Sequence, residues 1–383
     1  MKVASVIGTR PQLIKAAALL PTLCARHQHV FIDTGQHWDE RMAGTFFKEL
    51  GLPQPDHQLG IGGGGHAAQT GRMLVALEPV LNGERPDAVL VYGDTNSTLA
   101  GSLAAAKLGI PVAHVEAGLR SFDRRMPEEI NRVVADHLAT WCLAPTPAGV
   151  ANLAAEGIIA GVHETGDLMQ DLAARVVAEV RGFEALLQAG IALAAAGAPD
   201  LAGRLRPGGF VFVTIHRAEN REPPALAAWS AILGDAARTG RLVILALHPG
   251  TRVALQAAQV VLPAGVRVVE PLGYRTSLTL QLHAAAVLTD SGGIQREAAW
   301  LGTPCLVLRS STEWAEALDG SDGQMAVIGL DRARAASELA RVAPAETSEG
   351  LSRARAETLD LRPAGAAQRI VAALEAGPVS RFR

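Results

Sequence analysis

The chain of 383 residues contains only three cysteines, Cys24, Cys142 and Cys305, at unrelated spacings. An odd number of cysteines at such spacings does not fit a disulfide framework, which indicates a reducing compartment. The histidines are also scattered, so we predict no bound metal. A formal net charge of −3 gives no basic footprint for nucleic acid. No apolar run approaches the roughly 18 residues of a membrane helix, and the opening segment is too short for a signal peptide. We therefore predict a cytoplasmic protein that acts on neither nucleic acid nor membranes.

Two common catalytic signatures are also missing. There is no G-x-S-x-G segment of the kind that carries an acyl-transfer serine. Residues 61–67, IGGGGHA, fit the dinucleotide pattern G-x-G-x-x-A only formally, because they follow PQPDH (53–57) instead of a predicted strand. We interpret this segment as a loop or lid, reject a nicotinamide site and predict no cofactor.

The length of the chain and its 49% hydrophobic content favour two well-packed domains. Short β-branched runs alternate with Ala- and Leu-rich stretches, a pattern that predicts parallel sheets with crossover helices. The predicted strands are Val3–Ile7, Val30–Asp33, Ala88–Tyr92, Val112–Val115, Trp141–Ala144, Phe210–Thr214, Leu242–Ala246, Val266–Val269, Val287–Thr289 and Cys305–Leu308.

The two sets of strands are separated by an Ala-, Gly- and Pro-rich stretch at residues 188–209. We predict an α/β protein of two Rossmann-like doubly wound parallel-sheet domains with a central cleft, residues 1–168 forming the first domain and 169–361 the second. Ligands of such sheets bind at the carboxyl ends of strands, so motifs at strand ends are the candidate site.

The first predicted strand is followed by Gly8-Thr9-Arg10-Pro11 and a helix that carries Lys15. Glycine permits a tight turn, proline suits the first helical position, and a helix N-terminus presents free N–H groups to an anion. Arg10 and Lys15 add positive charge near this point. The alternative is an ordinary turn whose basic residues are solvated.

Three carboxylates follow the next elements of the same half. Asp94 comes after a predicted strand, although it could instead cap the next helix. Glu116 ends a buried-type strand, where structural duties for a carboxylate are scarce. Glu128 lies in the first turn of a helix opened by Pro127, and the alternative for it is an ion pair with Arg132. Their density predicts a site.

The second half carries similar signals at its predicted strand ends. His216 and Arg217 follow one strand, and His248 follows another. The segment TDSGGIQRE (289–297) has the order strand, glycine turn and helix, whose N–H groups suit a diphosphate. Glu297 lies about one turn into this helix and suits a ribose diol.

Together these segments resemble the non-hydrolysing UDP-N-acetylglucosamine 2-epimerase family over nearly the whole chain. The matching segments are GTRP (8–11), TGQH (34–37), GDT (93–95), HVEAGLR (114–120), PEE (127–129), HR (216–217), HP (248–249) and TDSGGIQ (289–295). The resemblance implies a GT-B fold in which residues 362–383 return to the first domain, and it implies a homodimer.

The resemblance also implies roles for residues. Asp94, Glu116 and Glu128 supply acid and base, with His216 assisting at the leaving diphosphate; which carboxylate is base and which is acid stays open. The implied substrate-binding residues are Arg10, Lys15, Arg120, Arg217, His248, Ser291, Gly292, Gly293 and Glu297. In some members the TGQH loop forms part of an allosteric site, which here implies Gln36, His37 and Arg72.

The implied reaction is the conversion of UDP-GlcNAc to UDP-ManNAc by elimination of UDP to a 2-acetamidoglucal and its re-addition. A rival substrate is UDP-2,3-diacetamido-2,3-dideoxy-glucuronic acid, a precursor for surface polysaccharide, whose carboxylate Arg124, Arg125 or Arg217 could bind. More remote alternatives are a hydrolysing epimerase, a GT-B glycosyltransferase and a non-catalytic UDP-sugar binder.

Overall fold

The computed structural model describes residues 1–36, 47–312, 314, 324–342 and 345–378. The chain divides into two compact units, Met1–Leu172 with Arg362–Arg383, and Ala173–Leu361. The described strands are β1 Lys2–Ile7, β2 Gln28–Asp33, β3 His57–Gln58, β4 Ala88–Tyr92, β5 Val112–Val115, β6 Trp141–Ala144, β7 Val162–Glu164, β8 Phe210–Ile215, β9 Leu242–Leu247, β10 Val266–Val269, β11 Ala286–Thr289, β12 Cys305–Val307 and β13 Met325–Val327.

Most helices lie between these strands, as expected for crossover connections, and the last three follow β13. They are α1 Arg10–Cys24, α2 His66–Glu84, α3 Asn96–Lys107, α4 Pro127–Leu138, α5 Pro147–Ala155, α6 Leu168–Val180, α7 Phe183–Ala195, α8 Pro223–Arg238, α9 Pro249–Ala257, α10 Tyr274–His283, α11 Gly292–Trp300, α12 Arg332–Arg341, α13 Ala345–Thr358 and α14 Ala366–Glu375. None of the helices in the described ranges is long and apolar enough to cross a membrane.

The first unit is built on a parallel sheet in the order β3-β2-β1-β4-β5-β6-β7. The central strands are short apolar runs that are buried on both faces, as parallel sheets require. Tyr92 at the end of β4 is in register with Val115 at the end of β5, so the turns that follow these two strands are neighbours. The change of direction in the strand order lies between β1 and β4, next to these turns.

The second unit repeats this plan in the order β10-β9-β8-β11-β12-β13, again with parallel pairing throughout. Thr214 on β8 is in register with Thr289 on β11, so the turns after these strands are also neighbours. One face of the sheet packs on a core that includes Trp229 of α8, and the other on a core that includes Leu280 of α10. Both units therefore have the Rossmann strand order, and the prediction of two doubly wound parallel sheets is confirmed.

The last helix, α14, belongs to the first unit and packs against α1 and β6. Its N-terminus is held by Asp171, whose carboxylate accepts from the N–H groups of Gly365 (2.8 Å) and Ala367 (3.0 Å). Ile370 and Leu374 on its inner face are completely buried.

The region before the glycine-rich loop corrects one expectation. His57–Gln58 forms the short strand β3, paired with Ile32 and Asp33 of β2, whereas the sequence indicated no strand there. The strand was missed because it has only two residues. It lies at the edge of the sheet, away from the strand-order change, and helix α2 begins at His66 with Gly65 as its N-cap.

Candidate active site

The turn between β1 and α1 is fixed by Gln12, which is 1% exposed. Its side-chain oxygen accepts from the N–H groups of Gly8 (2.8 Å) and Thr9 (3.1 Å). Its amide nitrogen donates to the carbonyl of Tyr92 (2.8 Å) and the hydroxyl of Thr95 (2.9 Å). One buried side chain thus joins the turn that starts at Gly8 to the turn that carries Asp94.

Lys15 lies one turn further along α1 and is buried, with its ammonium group in an ion pair with Glu116. The alternative that the basic residues of this turn are solvated is therefore wrong for Lys15. Arg10, the first residue of the helix, is half-buried.

Glu116 follows β5 on a left-handed backbone, with φ of +73°. Residues other than glycine, asparagine and aspartate rarely adopt this conformation, and it often marks functional sites. The neighbouring Gly93 lies so close that a Cβ atom there would be 3.1 Å from Glu116 Oε2 and 3.2 Å from Lys15 Nζ. The glycine in GDT therefore leaves room for the ion pair.

Asp94 follows β4, but it does not cap the next helix. The N-cap of α3 is Thr95, whose hydroxyl accepts from the N–H of Thr98. The Asp94 side chain is 32% exposed and forms an ion pair with Arg132 of α4. The backbone carbonyl of Asp94 accepts from Asn131 Nδ2 (2.9 Å). The turn after β4 is therefore attached to α4.

Helix α4 begins beside these groups. Glu128 is half-buried in its first turn. The next residue, Glu129, is buried and accepts from the backbone N–H groups of Ser121 (2.9 Å) and Phe122 (3.0 Å), and it lies 3.5 Å from Arg132. Glu129 thus fixes the loop that leads into the helix. The first unit brings Lys15, Asp94, Glu116 and the start of α4 to one edge of its sheet.

Arg120 does not join this group, and the structure does not support its predicted contact with substrate. Its side chain is 1% exposed and forms ion pairs with Asp136 (2.7 Å) and Glu156 (2.7 Å). Asp136 also accepts from the His114 ring (2.6 Å) and from Gly118 N–H (3.0 Å). Burial alone would raise the pKa of Asp136, but the His114 and Arg120 charges outweigh it and lower that pKa. Arg120 therefore supports the strand ends from within.

Of the predicted allosteric residues, Gln36 lies beside Gly8 and the start of α3, whereas Arg72 lies on α2. Gln36 accepts from the N–H (2.9 Å) and the hydroxyl (2.7 Å) of Ser97 at the start of α3. Arg72 is exposed on α2 and donates to the carbonyl of Gly63 (2.8 Å) in the glycine-rich loop. His37 lies outside the described residues.

In the second unit, His216 follows β8 and is held by Asp290 at the end of β11. The ring Nδ1 is 2.9 Å from Asp290 Oδ1, and the same carboxylate accepts from the N–H groups of His216 (3.0 Å) and Arg217 (2.9 Å). Burial would raise the pKa of Asp290, but the His216 charge and these hydrogen bonds outweigh it and lower that pKa to about 2. Asp290 is thus an ionised acceptor inside the fold. The sequence showed this residue in the TDSGG segment, but no signal there linked it to His216.

The ring of His248 lies 6.1 Å from that of His216, between centroids. His248 is the N-cap of α9, and its Nδ1 accepts from the N–H of Gly250 (3.1 Å). Its neutral ring therefore carries the proton on Nε2.

Helix α11 begins next to Asp290, with Ser291 as its N-cap and Gly292 and Gly293 as its first two residues. Their N–H groups can bind an anion at the helix N-terminus. Glu297 is buried further along the helix, and its carboxylate accepts from Gln281 (2.6 Å). Within the described ranges, no group of three or more His, Cys, Asp or Glu residues is arranged to hold a metal ion.

Two units of Rossmann strand order, each with polar side chains at the carboxyl ends of its central strands, define a protein of the GT-B type. Residues 23–375 match the family model described as UDP-N-acetylglucosamine 2-epimerase. The chain belongs to this family and is a UDP-sugar 2-epimerase, an isomerase.

Individual relatives cover most of the chain. It is 42% identical over 322 residues to the UDP-2,3-diacetamido-2,3-dideoxy-D-glucuronate 2-epimerase of Pseudomonas aeruginosa, covering 82% of this chain and 85% of that one. It is 38% identical over 325 residues to a UDP-N-acetylglucosamine 2-epimerase of Methanococcus maripaludis, covering 83% and 86%. The crystal structure of the Methanocaldococcus jannaschii UDP-GlcNAc 2-epimerase in complex with UDP-GlcNAc and UDP is similar with a TM-score of 0.84 at 34% identity, covering 98% of this chain and all of that one.

Proposed function

We propose that this enzyme interconverts UDP-GlcNAc and UDP-ManNAc without hydrolysis. The observation that carries the proposal is the Lys15–Glu116 ion pair on a left-handed backbone, beside the turn that holds Asp94 against Arg132. Carboxylates held this firmly at neighbouring strand ends suit proton transfer at a fixed carbon atom.

The chemistry explains why more than one carboxylate is needed. C2 of the sugar has no adjacent carbonyl, so removal of its proton alone would leave an unstabilised carbanion. In the proposed route the C2 proton leaves as the C1–O bond to UDP breaks, which gives 2-acetamidoglucal and UDP. UDP then adds back to C1 while a proton is delivered to the opposite face of C2. This sequence requires a base, an acid and a firmly held diphosphate.

We assign the acid and base roles to Asp94, Glu116 and Glu128. Glu116 is fixed by Lys15, so Lys15 orients the proposed catalytic carboxylate and also stays a proposed substrate-binding residue. Asp94 is fixed by Arg132, and Glu128 lies at the start of the same helix as Arg132.

The diphosphate is assigned to the N-terminus of α11 at Ser291, Gly292 and Gly293, with His216 at the leaving oxygen. Arg10, Arg217 and His248 are the further substrate contacts that we propose. Glu297 is assigned to the ribose, although its carboxylate already accepts a hydrogen bond from Gln281.

A second candidate substrate is UDP-2,3-diacetamido-2,3-dideoxy-glucuronate. It is favoured by the 42% identity to the Pseudomonas aeruginosa epimerase named for this sugar, against 38% to the Methanococcus maripaludis UDP-GlcNAc enzyme. The same elimination can take place on either sugar, because both carry a C2 proton and a C1-linked UDP.

Proton NMR of UDP-GlcNAc with the enzyme in D2O tests the proposal. We expect UDP-ManNAc with deuterium at C2, because the proton removed by the base exchanges with solvent before C2 is reprotonated. Free ManNAc and UDP would show a hydrolysing enzyme instead. No change with UDP-GlcNAc but C2 exchange in the diacetamido uronate would establish the second candidate.

The role of Glu116 is tested by Glu116→Gln, which keeps the size of the side chain and removes its ability to exchange a proton. We expect kcat to fall by about 10²–10⁴-fold while the Kd for UDP changes little. Glu164→Gln is the matched control, because Glu164 is exposed at the end of β7 in the same sheet. Undiminished turnover in Glu116→Gln would rule out an acid or base role for this residue.

A further inference from the structure

Asp290 has no access to solvent, yet it holds the one imidazole for which we propose a role at the leaving group. It is 0% exposed and lies at the end of β11, next to the end of β8. Because it is enclosed by protein, it has no surface with which to touch a substrate. Any effect on the reaction must pass through the residues that it binds.

The carboxylate is surrounded by donors from one short segment. The backbone N–H groups of His216 and Arg217 and the side chain of Asn220 (2.9 Å) all donate to it. The Asn220 side chain also donates to the carbonyl of Leu308 (3.1 Å), and the backbone carbonyl of Asn220 accepts from Trp229 Nε1 (3.0 Å). The position of Asp290 is therefore fixed independently of any ligand.

The His216 ring completes this shell through Nδ1, 2.9 Å from Asp290 Oδ1. A carboxylate oxygen would repel the lone pair of an unprotonated nitrogen at this distance, so the contact favours the ring that carries its proton on Nδ1. In the neutral ring Nε2 is then the unprotonated nitrogen, and a second proton can be gained only at Nε2. The His216 side chain is 38% exposed, whereas that of Asp290 is fully enclosed.

We propose that Asp290 is a positioning residue that fixes the tautomer and orientation of His216. This inference rests on the proposed function of His216 at the leaving diphosphate. With Nδ1 held by Asp290, only Nε2 changes its protonation, and the imidazolium form can donate Nε2–H to a phosphate oxygen as negative charge develops there. The same logic explains why a buried carboxylate matters to the histidine of a serine protease triad.

His248 provides an internal contrast. Its Nδ1 accepts a backbone N–H, so its neutral ring carries the proton on Nε2, opposite to His216. The two rings, 6.1 Å apart, therefore present different nitrogen atoms as donor and acceptor. Since both histidines follow parallel strands of the same sheet, it is the partner of Nδ1 that distinguishes them.

The test is Asp290→Asn, alone and combined with His216→Gln. Asparagine keeps the shape and can still accept from the backbone N–H groups, but its NH2 group favours a His216 ring protonated on Nε2. We expect kcat to fall at least about 100-fold with KM changed less than about threefold, and Asp290→Asn to have almost no further effect on kcat in the His216→Gln background. An equal loss in both backgrounds, or full turnover in the single variant, would overturn the proposal.

Asp331→Asn is the control, because Asp331 is an exposed carboxylate of the same unit that accepts backbone N–H groups of Ala333 (2.9 Å) and Arg334 (3.0 Å). It should leave kcat unchanged. Urea midpoints of all variants separate loss of activity from loss of folding.

Nitrogen-15 NMR of the histidine rings is a readout that does not depend on turnover. We expect Nδ1–H for His216 in the unaltered protein and a change towards Nε2–H in Asp290→Asn. If the unaltered protein carries the neutral proton on Nε2, the inference is wrong even if epimerisation proceeds. If the Nδ1–H tautomer is found but neither UDP sugar reacts, the positioning holds and the proposed function fails.

Discussion

Gly118 illustrates how single residues constrain the candidate site. It lies two residues after Glu116 with φ of +81°, a conformation that costs other residues free energy. A Cβ atom at this position would be 2.2 Å from the carbonyl oxygen of Gly149 and 2.7 Å from its carbonyl carbon. Because these are backbone atoms, no side-chain rotation can relieve the contact. The glycine in HVEAGLR is therefore required by the approach of the turn to α5.

We expect Gly118→Ala to lower the free energy of unfolding by at least about 3 kcal/mol, the sum of backbone strain and a clash that only a backbone shift can relieve. Urea denaturation gives this value. Gly109→Ala is the matched control, since Gly109 has φ of +70° but no atom within 4 Å of an added Cβ. It should lose only about 1 kcal/mol. Equal losses in the two variants would show that the contact with Gly149 has no cost.

At the scale of elements, the turns after β1 and β4 behave as one piece because Gln12 binds both. Removal of its side chain leaves buried N–H groups of Gly8 and Thr9 without their acceptor, and the carbonyl of Tyr92 without one of its donors. Arg10 follows the first of these turns and Asp94 lies in the second. Their relative position therefore depends on a residue that belongs to neither proposed catalytic nor binding set.

We expect Gln12→Ala to destabilise the protein by about 2–4 kcal/mol, because several buried hydrogen bonds are lost together. Turnover should also fall, since the Asp94 turn loses one attachment. Chemical denaturation measures the first effect and steady-state kinetics the second. Gln188→Ala, at an exposed position of α7 with a hydrogen bond to Glu184, should change stability by less than about 0.5 kcal/mol. A similarly small effect at Gln12 would mean that the two turns are held by other contacts.

Elements of ordinary length could be predicted from sequence, because apolar runs such as Ala88–Tyr92 and Val112–Val115 have both their bounds marked by turn residues. The strands β3, β7 and β13 were missed because each has only two or three residues and is not fully buried, whereas the equally short β12 is an apolar run that is buried throughout. Each of them forms by pairing with a neighbouring strand, β2, β6 or β12, and a local sequence pattern does not show that pairing.

The candidate site could be predicted only in part, for a related reason. Motifs indicated Asp94 and Glu116, but their partners Arg132 and Lys15 lie 38 and 101 residues away in sequence. Such pairs are set by the order of strands in the sheet, which a local pattern does not contain. The ion pairs of Arg120 could not be predicted for the same reason, because Asp136 and Glu156 belong to other elements.

At the scale of the whole molecule, the chain passes through the first unit, forms the second and returns to the first at Arg362. The returning helix α14 completes a core, because Ile370, Val371 and Leu374 are fully buried where it packs on α1 and β6. Trp141 of β6 also donates to the carbonyl of Gly377 (3.2 Å). The last segment of the sequence therefore stabilises the unit that contains the first.

We expect Ile370→Ala to destabilise the first unit by about 2–5 kcal/mol, because it leaves a cavity beneath α14. Hydrogen exchange measures where the loss falls: amides of α1 and β6 should exchange faster, while those of β8 and β11 keep their protection. Gln368→Ala is the control on the same helix, since Gln368 is exposed, and it should leave both sets unchanged. Faster exchange confined to β8 and β11 would contradict the assignment of α14 to the first unit. If α1 and β6 alone respond, a helix at the far end of the sequence stabilises the helix that carries Arg10 and Lys15.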